Sequence, residues 1–416
     1  MTVEQTLAKL VSINSVSSRS NAEIISYLEA RCEALGFTVK RFPHIDETGA
    51  EKINLVAQTS FGVRRQSEAA TALSMPAVSS ARPRSKAPSP LRSAGALQIT
   101  SQAEAYATVE LALVGHTDTV PYDPNWTEAL KLTESDGQLY GRGACDTKAF
   151  IAATLTAFEN VDLEKLKKPL ALVFTADEEI GCLGAKRLAD ARPFNARYAI
   201  VGEPTSLQPM RAGKGYCLAE ITVHGREAHS AYPQLGGSAI FHASRLINRI
   251  EEIAEDLKSD ARADFDPPYT TLNVGLIEGG TAKNIVPGEC RFTLEWRTIP
   301  GQESDYVLNL VKRAVDDLQK LDPDFACQID AARADESFET RASSPLVSFL
   351  EESSNQSSGT VAFGTEAPSM IALGADAVVF GPGNIRVAHR TGEFVPIDQL
   401  NGCVRVLREA IEHFCI

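Results

Sequence analysis

Along the chain, short apolar runs alternate with longer segments whose apolar positions recur every three to four residues. Val109–Val114 (VELALV), Leu170–Thr175 (LALVFT), Tyr198–Val201 (YAIV) and Val378–Phe380 are short, aliphatic and rich in β-branched residues, and they read as buried strands. Residues 3–36 carry helical spacing and stop at Gly36. Phe37–Phe42 and Asn54–Ala57 read as short strands, Thr147–Phe158 as a helix, and Leu400–Phe414 again has helical spacing. From Met210 to about Leu321 the texture changes: strand Cys217–Val223, helix Ser238–Leu257, strands Thr271–Ile277 and Glu289–Trp296, helix Ser304–Leu321. Two mixed-charge helices over one face of an antiparallel sheet make a small α+β unit. It interrupts a larger α/β domain, which predicts three segments: 1–209, 210–324 and 325–416.

Residues 60–102 break every period. They are rich in Ser, Ala and Pro and carry Arg64, Arg65, Arg82, Arg84, Lys86 and Arg92 against the single acid Glu68. Such a composition cannot bury enough apolar surface to offset the entropy of ordering. The expectation is a mobile surface insertion between two strands, with a basic partner-binding arm as the alternative.

At 416 residues the chain exceeds what one core usually holds, consistent with two domains. A net charge of −13 argues against nucleic acid or an anionic membrane surface as partner. The N-terminus reads as a first amphipathic helix, not a signal peptide, and no apolar run reaches membrane-spanning length. Eight scattered cysteines without a C-x-x-C pair fit reduced thiols in a cytoplasm.

The candidate chemistry clusters where the apolar runs end. GHTDTVP (115–121) follows the first run, and its His116 and Asp118 point the same way on an extended chain. A metal-bound imidazole wants a carboxylate behind it, although a lone His-x-Asp also fits a polar turn. GRGACDTK (141–148) places Asp146 at a helix start, where it reads either as an N-cap or as a ligand. The second run ends in Asp177-Glu178-Glu179. Three consecutive acids there are costly unless solvated or faced by positive charge, and a pair of them can divide labour between metal and water. Glu203 follows the third run and His389 the fourth. In an open α/β sheet ligands bind outside the carboxyl ends of the strands. Two histidines and three carboxylates without a thiolate suit a two-metal hydrolytic centre, with zinc first. No G-x-S-x-G elbow or phosphate-loop motif is present, which sets aside serine and nucleotide-dependent chemistry.

Taken together and in order, GHTDTVP, GRGACDTK, DEEIG, GEPT, GREAHS, NIVP, EWR and GPGNIRVAH resemble the di-zinc amidohydrolase and aminopeptidase family that contains acetylornithine deacetylase, succinyl-diaminopimelate desuccinylase, aminoacylase and the glutamate carboxypeptidases. The resemblance implies a zinc-peptidase-like catalytic domain with a mixed, mainly parallel sheet, interrupted by a ferredoxin-like dimerisation or lid domain. It implies two zinc ions, with cobalt as the alternative. His116 and Glu203 would bind one, Glu179 and His389 the other, with Asp146 bridging and Asp118 supporting His116. Glu178 would be the general base. His229 would reach a neighbouring subunit's oxyanion in a homodimer formed through 210–324, and Arg297 and Asn284 would hold the substrate carboxylate and nearby polar groups. FGTEAPSM (363–370) resembles the acetylornithine deacetylase branch, in which Glu366 would help receive the substrate. The implied reaction is hydrolysis of an N-acyl-L-amino acid, N-acetyl-L-ornithine first. Succinyl-diaminopimelate, acetylcitrulline and aminoacylase substrates are alternatives within the family, and an inactive metal-binding relative is the alternative outside it. One departure is that the usual D-M-K-G reads Asp146-Thr147-Lys148-Ala149 here.

Overall fold

The structure is a computed structural model and describes residues 1–59, 108–159 and 161–416. The insertion expected at 60–102 lies outside the described residues.

The apolar runs form the centre of one large sheet, in the order Thr38–Ile45, Glu51–Gln58, Leu170–Thr175, Thr108–His116, Asn195–Val201, Asp376–Val379, Met210–Gly213, Phe338–Glu339. The strands beginning at 170, 108, 195 and 376 run parallel. Their unbroken hydrophobicity has a packing cause, since both faces are covered. Leu111, Leu113, Leu170, Leu172 and Phe174 enter one core with Leu7, Leu28, Phe150 and Leu407 from the helices Val3–Ser12, Ala22–Ala34, Lys148–Ala157 and Ile397–Cys415. The alternate residues Ala112, Val114, Ala171 and Val173 enter the opposite core with Leu188 and Met370 from the helices Leu183–Ala191 and Ala367–Ala372.

Register decides where the chemistry goes. His116 pairs with Thr175, Val114 with Val201, and Val201 with Val379. The carboxyl ends of all four parallel strands are therefore level, and whatever follows them meets at one rim.

The second unit is a four-stranded antiparallel sheet, Thr271–Gly279, Glu289–Arg297, Tyr216–His224, Ala326–Asp335, with helices Ala239–Asp256 and Tyr306–Leu321. Cys217, Ala219, Ile221 and Val223 alternate inward against Leu246, Val311 and Val315, while the intervening residues stay outside.

Three expectations need correction. The boundaries at 210 and 325 do not coincide with sheet membership. Met210–Gly213 belongs to the large sheet and Ala326–Asp335 to the small one, so the small sheet runs from Tyr216 to Asp335. The alternation of Ala326–Asp335 carries too few aliphatics to show which sheet it joins. Residues 3–36 form two helices, Val3–Ser12 and Ala22–Ala34, because the intervening Asn14–Ser20 pairs with the GHTDTVP segment through Ser17 N to Thr119 O. The helix after Asp146 has Thr147, not Asp146, at its N-cap position, so the capping role for Asp146 is excluded. No helix of the described residues is long and apolar enough to cross a membrane.

Candidate metal centre

His116 is the last residue of its strand, and its side chain is 1% exposed. Its Nε2 lies 3.0 Å from Asp146 Oδ1. Asp146 Oδ2 lies 3.3 Å from His389 Nε2, which is itself 3.0 Å from Glu179 Oε2. One carboxylate thus spans two imidazoles, each of which has a second acid at hand. Atoms of His116, Asp146 and Glu179 lie within 4.8 Å of one another, as do atoms of His116, Glu178 and Glu203.

The three-acid run is split by the backbone. Asp177 has a positive φ of 59° and turns away to Lys52 Nζ at 2.7 Å, a lysine only 1% exposed. Glu178 and Glu179 turn to the rim. Asp118 ties the two segments together: its carboxylate accepts from Glu178 N at 3.1 Å, Glu179 N at 3.3 Å and Ser17 Oγ at 2.8 Å. Its support of His116 differs in detail from expectation. Nδ1 is 3.0 Å from the backbone oxygen of Asp118 and 3.6 Å from its carboxylate. A residue two positions on whose own carbonyl folds back reaches the ring before its side chain does. Either partner fixes the same tautomer, leaving Nε2 for the rim.

The electrostatics show what the cluster lacks. Burial pushes Glu178 up to about 8, helped by the charges of Glu179 and Asp146. Burial, then Asp146, also raises Glu179 and Glu203. Hydrogen bonds to Asp146 and Glu179 lift His389 to about 10. Burial opposes protonation of His116, but Asp118 and Asp146 outweigh it and hold it well above the usual histidine range. Left to themselves, these groups take up protons to neutralise one another. Glu179 Oε1 is buried without a hydrogen-bond partner among the described residues, a costly state for a carboxylate oxygen. Two imidazoles, a spanning aspartate and two further carboxylates with an orphaned oxygen form a donor set that could hold a pair of divalent cations. His116 and Glu203 would hold one, Glu179 and His389 the other, with Asp146 shared.

The model of the family described as Peptidase family M20/M25/M40 matches residues 112–413. The chain belongs to that family. Acetylornithine deacetylase of Myxococcus xanthus is 48% identical over 411 residues, covering 99% of this chain and 97% of that protein. Among solved structures, a tripeptidase of Staphylococcus aureus superposes with a TM-score of 0.71 at 22% identity, covering 99% of this chain and 97% of its own. The YXEP protein of Bacillus subtilis, described as a dinuclear metal binding peptidase from M20 family, gives 0.61 at 12% identity, covering 99% and 97%. At these identities the structural likeness concerns the fold. The chain is thus a metal-dependent hydrolase of the M20 type.

Several residues that build this M20 centre have no local signal in the sequence. Glu393 is 1% exposed, and its Oε1 accepts from Cys145 N at 2.8 Å and Asp146 N at 3.0 Å while Oε2 pairs with the buried Arg142. It presents Asp146 to the rim from behind. Cys182 Sγ donates to Glu178 Oε1 at 3.3 Å. Gly383, at φ 87°, lets the loop carrying His389 pass Cys145, whose sulfur would lie 2.4 Å from a Cβ there. Each is an ordinary polar or small residue far along the chain from what it touches.

The small-unit residues stand apart within one chain. His229 is exposed in a two-residue ribbon with Ile285, next to Asn284, whose backbone oxygen accepts from Ser230 N. Neither touches the cluster. Arg297 is engaged locally, with Nε to Glu295 at 2.8 Å and Nη1 to the Ala362 carbonyl at 2.9 Å. Glu366 is fully buried near the cluster and raised by burial to about 7.

Proposed function

We propose that this chain hydrolyses N-acetyl-L-ornithine to L-ornithine and acetate, with zinc in the rim and cobalt able to replace it, as a step of arginine biosynthesis in the cytoplasm. The observation that carries the hydrolytic reading is the convergence of His116, Asp146, Glu178, Glu179, Glu203 and His389 at one sheet rim. The acetyl-ornithine substrate rests on the 48% identity to the Myxococcus xanthus protein.

Two bound cations would polarise the scissile carbonyl and lower the pKa of a water from 15.7 to about 7. The remaining work falls to the chain. Glu178 takes the water's proton and delivers it to the departing amine nitrogen. The thiol of Cys182 holds one oxygen of that carboxylate and leaves the other to turn between water and amine. Asp118 fixes both His116 and the backbone of Glu178, so imidazole and base keep their spacing. Glu366 receives the substrate's ammonium, because its Oε1 is buried without a hydrogen-bond partner among the described residues. Asn284 sits beside His229 and contributes to the same polar wall.

The exposure of His229 makes sense in a homodimer, where it donates to the oxyanion of the partner's site. The small sheet supports this. Its edge strand Thr271–Gly279 leaves Leu276 and Ile277 72% and 58% exposed, and Phe241 on the adjoining helix is 71% exposed. An open apolar edge of this kind invites pairing. Sedimentation should show wild-type protein as a dimer and the double variant Leu276→Glu, Phe241→Glu as a monomer with turnover reduced at least tenfold. A monomeric, fully active wild type would remove both the interface and the role of His229.

The substrate is tested by a panel of N-acetyl-L-ornithine, N-acetyl-L-citrulline, N-succinyl-LL-diaminopimelate and dipeptides, with added zinc or cobalt. N-Acetyl-L-ornithine should give the highest kcat/KM, and a chelator should abolish turnover of all. Turnover of the succinyl compound with none of acetyl-ornithine would move the chain to another branch. Metal-replete protein inactive on the whole panel would leave the inactive-relative reading.

A further inference from the structure

We propose that the buried ion pair of Arg142 and Glu393 is a positioning device, which ties three of the ligand-bearing loops into one piece and so sets the spacing of the two cation sites. This rests on the reading of the rim as a two-cation centre and names what holds its donors in place.

Both side chains are nearly fully buried, at 3% and 1% exposed. Two charges taken out of water recover little net stability from their attraction, and apolar residues of similar volume often do as well or better. Here the pairing is also incomplete, since Arg142 Nε is buried without a hydrogen-bond partner among the described residues. Stability alone therefore does not account for the pair. Its contacts do.

Each end reaches a different ligand loop. Arg142 stands four residues before Asp146 in GRGACDTK, and its Nη2 donates to the Pro121 carbonyl at 3.3 Å. Pro121 closes GHTDTVP, the segment that carries His116. Arg142 Nη1 donates to Glu393 Oε2. Glu393 lies in the turn that follows His389. Its N–H donates to the carbonyl of Arg390, the neighbour of His389, at 3.2 Å, and its own carbonyl accepts from Gly141 N at 3.0 Å. The second carboxylate oxygen, Oε1, accepts from Cys145 N at 2.8 Å and Asp146 N at 3.0 Å. The spanning aspartate and the loops of both imidazoles are thus joined behind the rim through one carboxylate and one guanidinium. Beyond Asp146 the segment is tied once more, by Thr147 Oγ1 donating to the Gly202 carbonyl at 3.1 Å, beside Glu203. The methionine usual at position 147 has no hydroxyl to make that bond.

The consequence is geometric. Cations in a two-metal site sit about 3.5–4 Å apart, and Asp146 offers one oxygen toward His116 and the other toward His389. A backbone shift at residue 146 therefore misplaces a ligand atom in both sites at once. Glutamine at 393 cannot substitute, because it has one acceptor end and one donor end. With its carbonyl toward the two backbone N–H groups, its NH2 faces the Arg142 guanidinium, donor against donor. Turned round, the NH2 faces the N–H groups instead.

Titration of metal-free protein with cobalt(II), followed by the visible absorption of the bound ion, tests this alongside thermal unfolding of the metal-free protein. Wild type should take up two cobalt ions. Glu393→Gln should bind them about 10- to 100-fold more weakly, the size typical for a group one step behind metal ligands, with altered absorption bands. The double variant Arg142→Met, Glu393→Met removes both charges, so it should unfold closer to wild type than Glu393→Gln does. Its cobalt affinity should nevertheless stay low and its bands altered. Wild-type affinity and spectrum in either variant would show that the pair braces the fold alone and would overturn the proposal. A wild type that binds fewer than two cobalt ions at saturation would overturn the two-cation reading itself, and this proposal with it, before any variant is compared.

Discussion

Glu178→Gln should lose about 1,000-fold or more in kcat while retaining its full complement of metal. General-base assistance typically contributes 10²- to 10⁴-fold, and each tenfold is about 1.4 kcal/mol of barrier. The upper part of that range is expected because Glu178 is asked to move the proton twice, off the water and onto the amine. Glutamine preserves volume and an acceptor for the Cys182 thiol, so the loop should not rearrange. His116, Asp146, Glu179, Glu203 and His389 are untouched, so metal measured by elemental analysis should equal that of wild type. KM should change little. A variant with wild-type turnover would remove Glu178 from the mechanism. A variant that lost its metal would instead place Glu178 among the ligands, which its proximity to His116 and Glu203 makes a real alternative.

Asp146→Ala should be at least as damaging, by another route. Among the described residues the Asp146 carboxylate reaches both imidazoles, at 3.0 Å from His116 and 3.3 Å from His389. Without it neither cation site keeps its shared ligand. Metal content should fall well below that of wild type, and with it the several kcal/mol, or roughly 1,000-fold and more, that metal polarisation contributes. The protonation of the metal-free site sets the pH dependence of metal uptake. His389 is raised to about 10 through Asp146 and Glu179. At pH 7 it therefore carries a proton that a cation must displace. Apparent metal affinity of wild type should weaken as pH falls from 8 to 6, and titration at pH 7 should release protons to the buffer. Affinity that is flat with pH would contradict these imidazoles as ligands. Asp146→Ala with wild-type metal and turnover would contradict the shared carboxylate.

Some of this was legible along the chain and some was not. The buried strands announced themselves because a parallel sheet covered on both faces leaves no position for a polar residue, so LALVFT needs no partner to be recognised. The candidate ligands His116, Glu179 and Glu203 stand out along the chain because each comes at or within four residues of the end of such a strand, and the motifs recur in order. The helices Ser238–Leu257 and Ser304–Leu321 were read to within two residues or so, since their apolar stripes answer to one local sheet.

The rest depends on contacts that no local pattern encodes. That Asp177 turns from the rim, and Glu178 and Glu179 toward it, follows from a buried lysine 125 residues earlier. That Asp146 is presented from behind follows from Glu393, 247 residues later. Ala326–Asp335 joined the small sheet because the free edge of Tyr216–His224 needed its hydrogen bonds satisfied, a demand invisible in the strand's own polar alternation. Local sequence therefore determined which segments are strands and helices and which side chains carry chemistry, because backbone geometry and burial act over a few residues. Tertiary structure alone decided which of those side chains face one another, because charge pairing and hydrogen-bond satisfaction act through space without regard to distance along the chain.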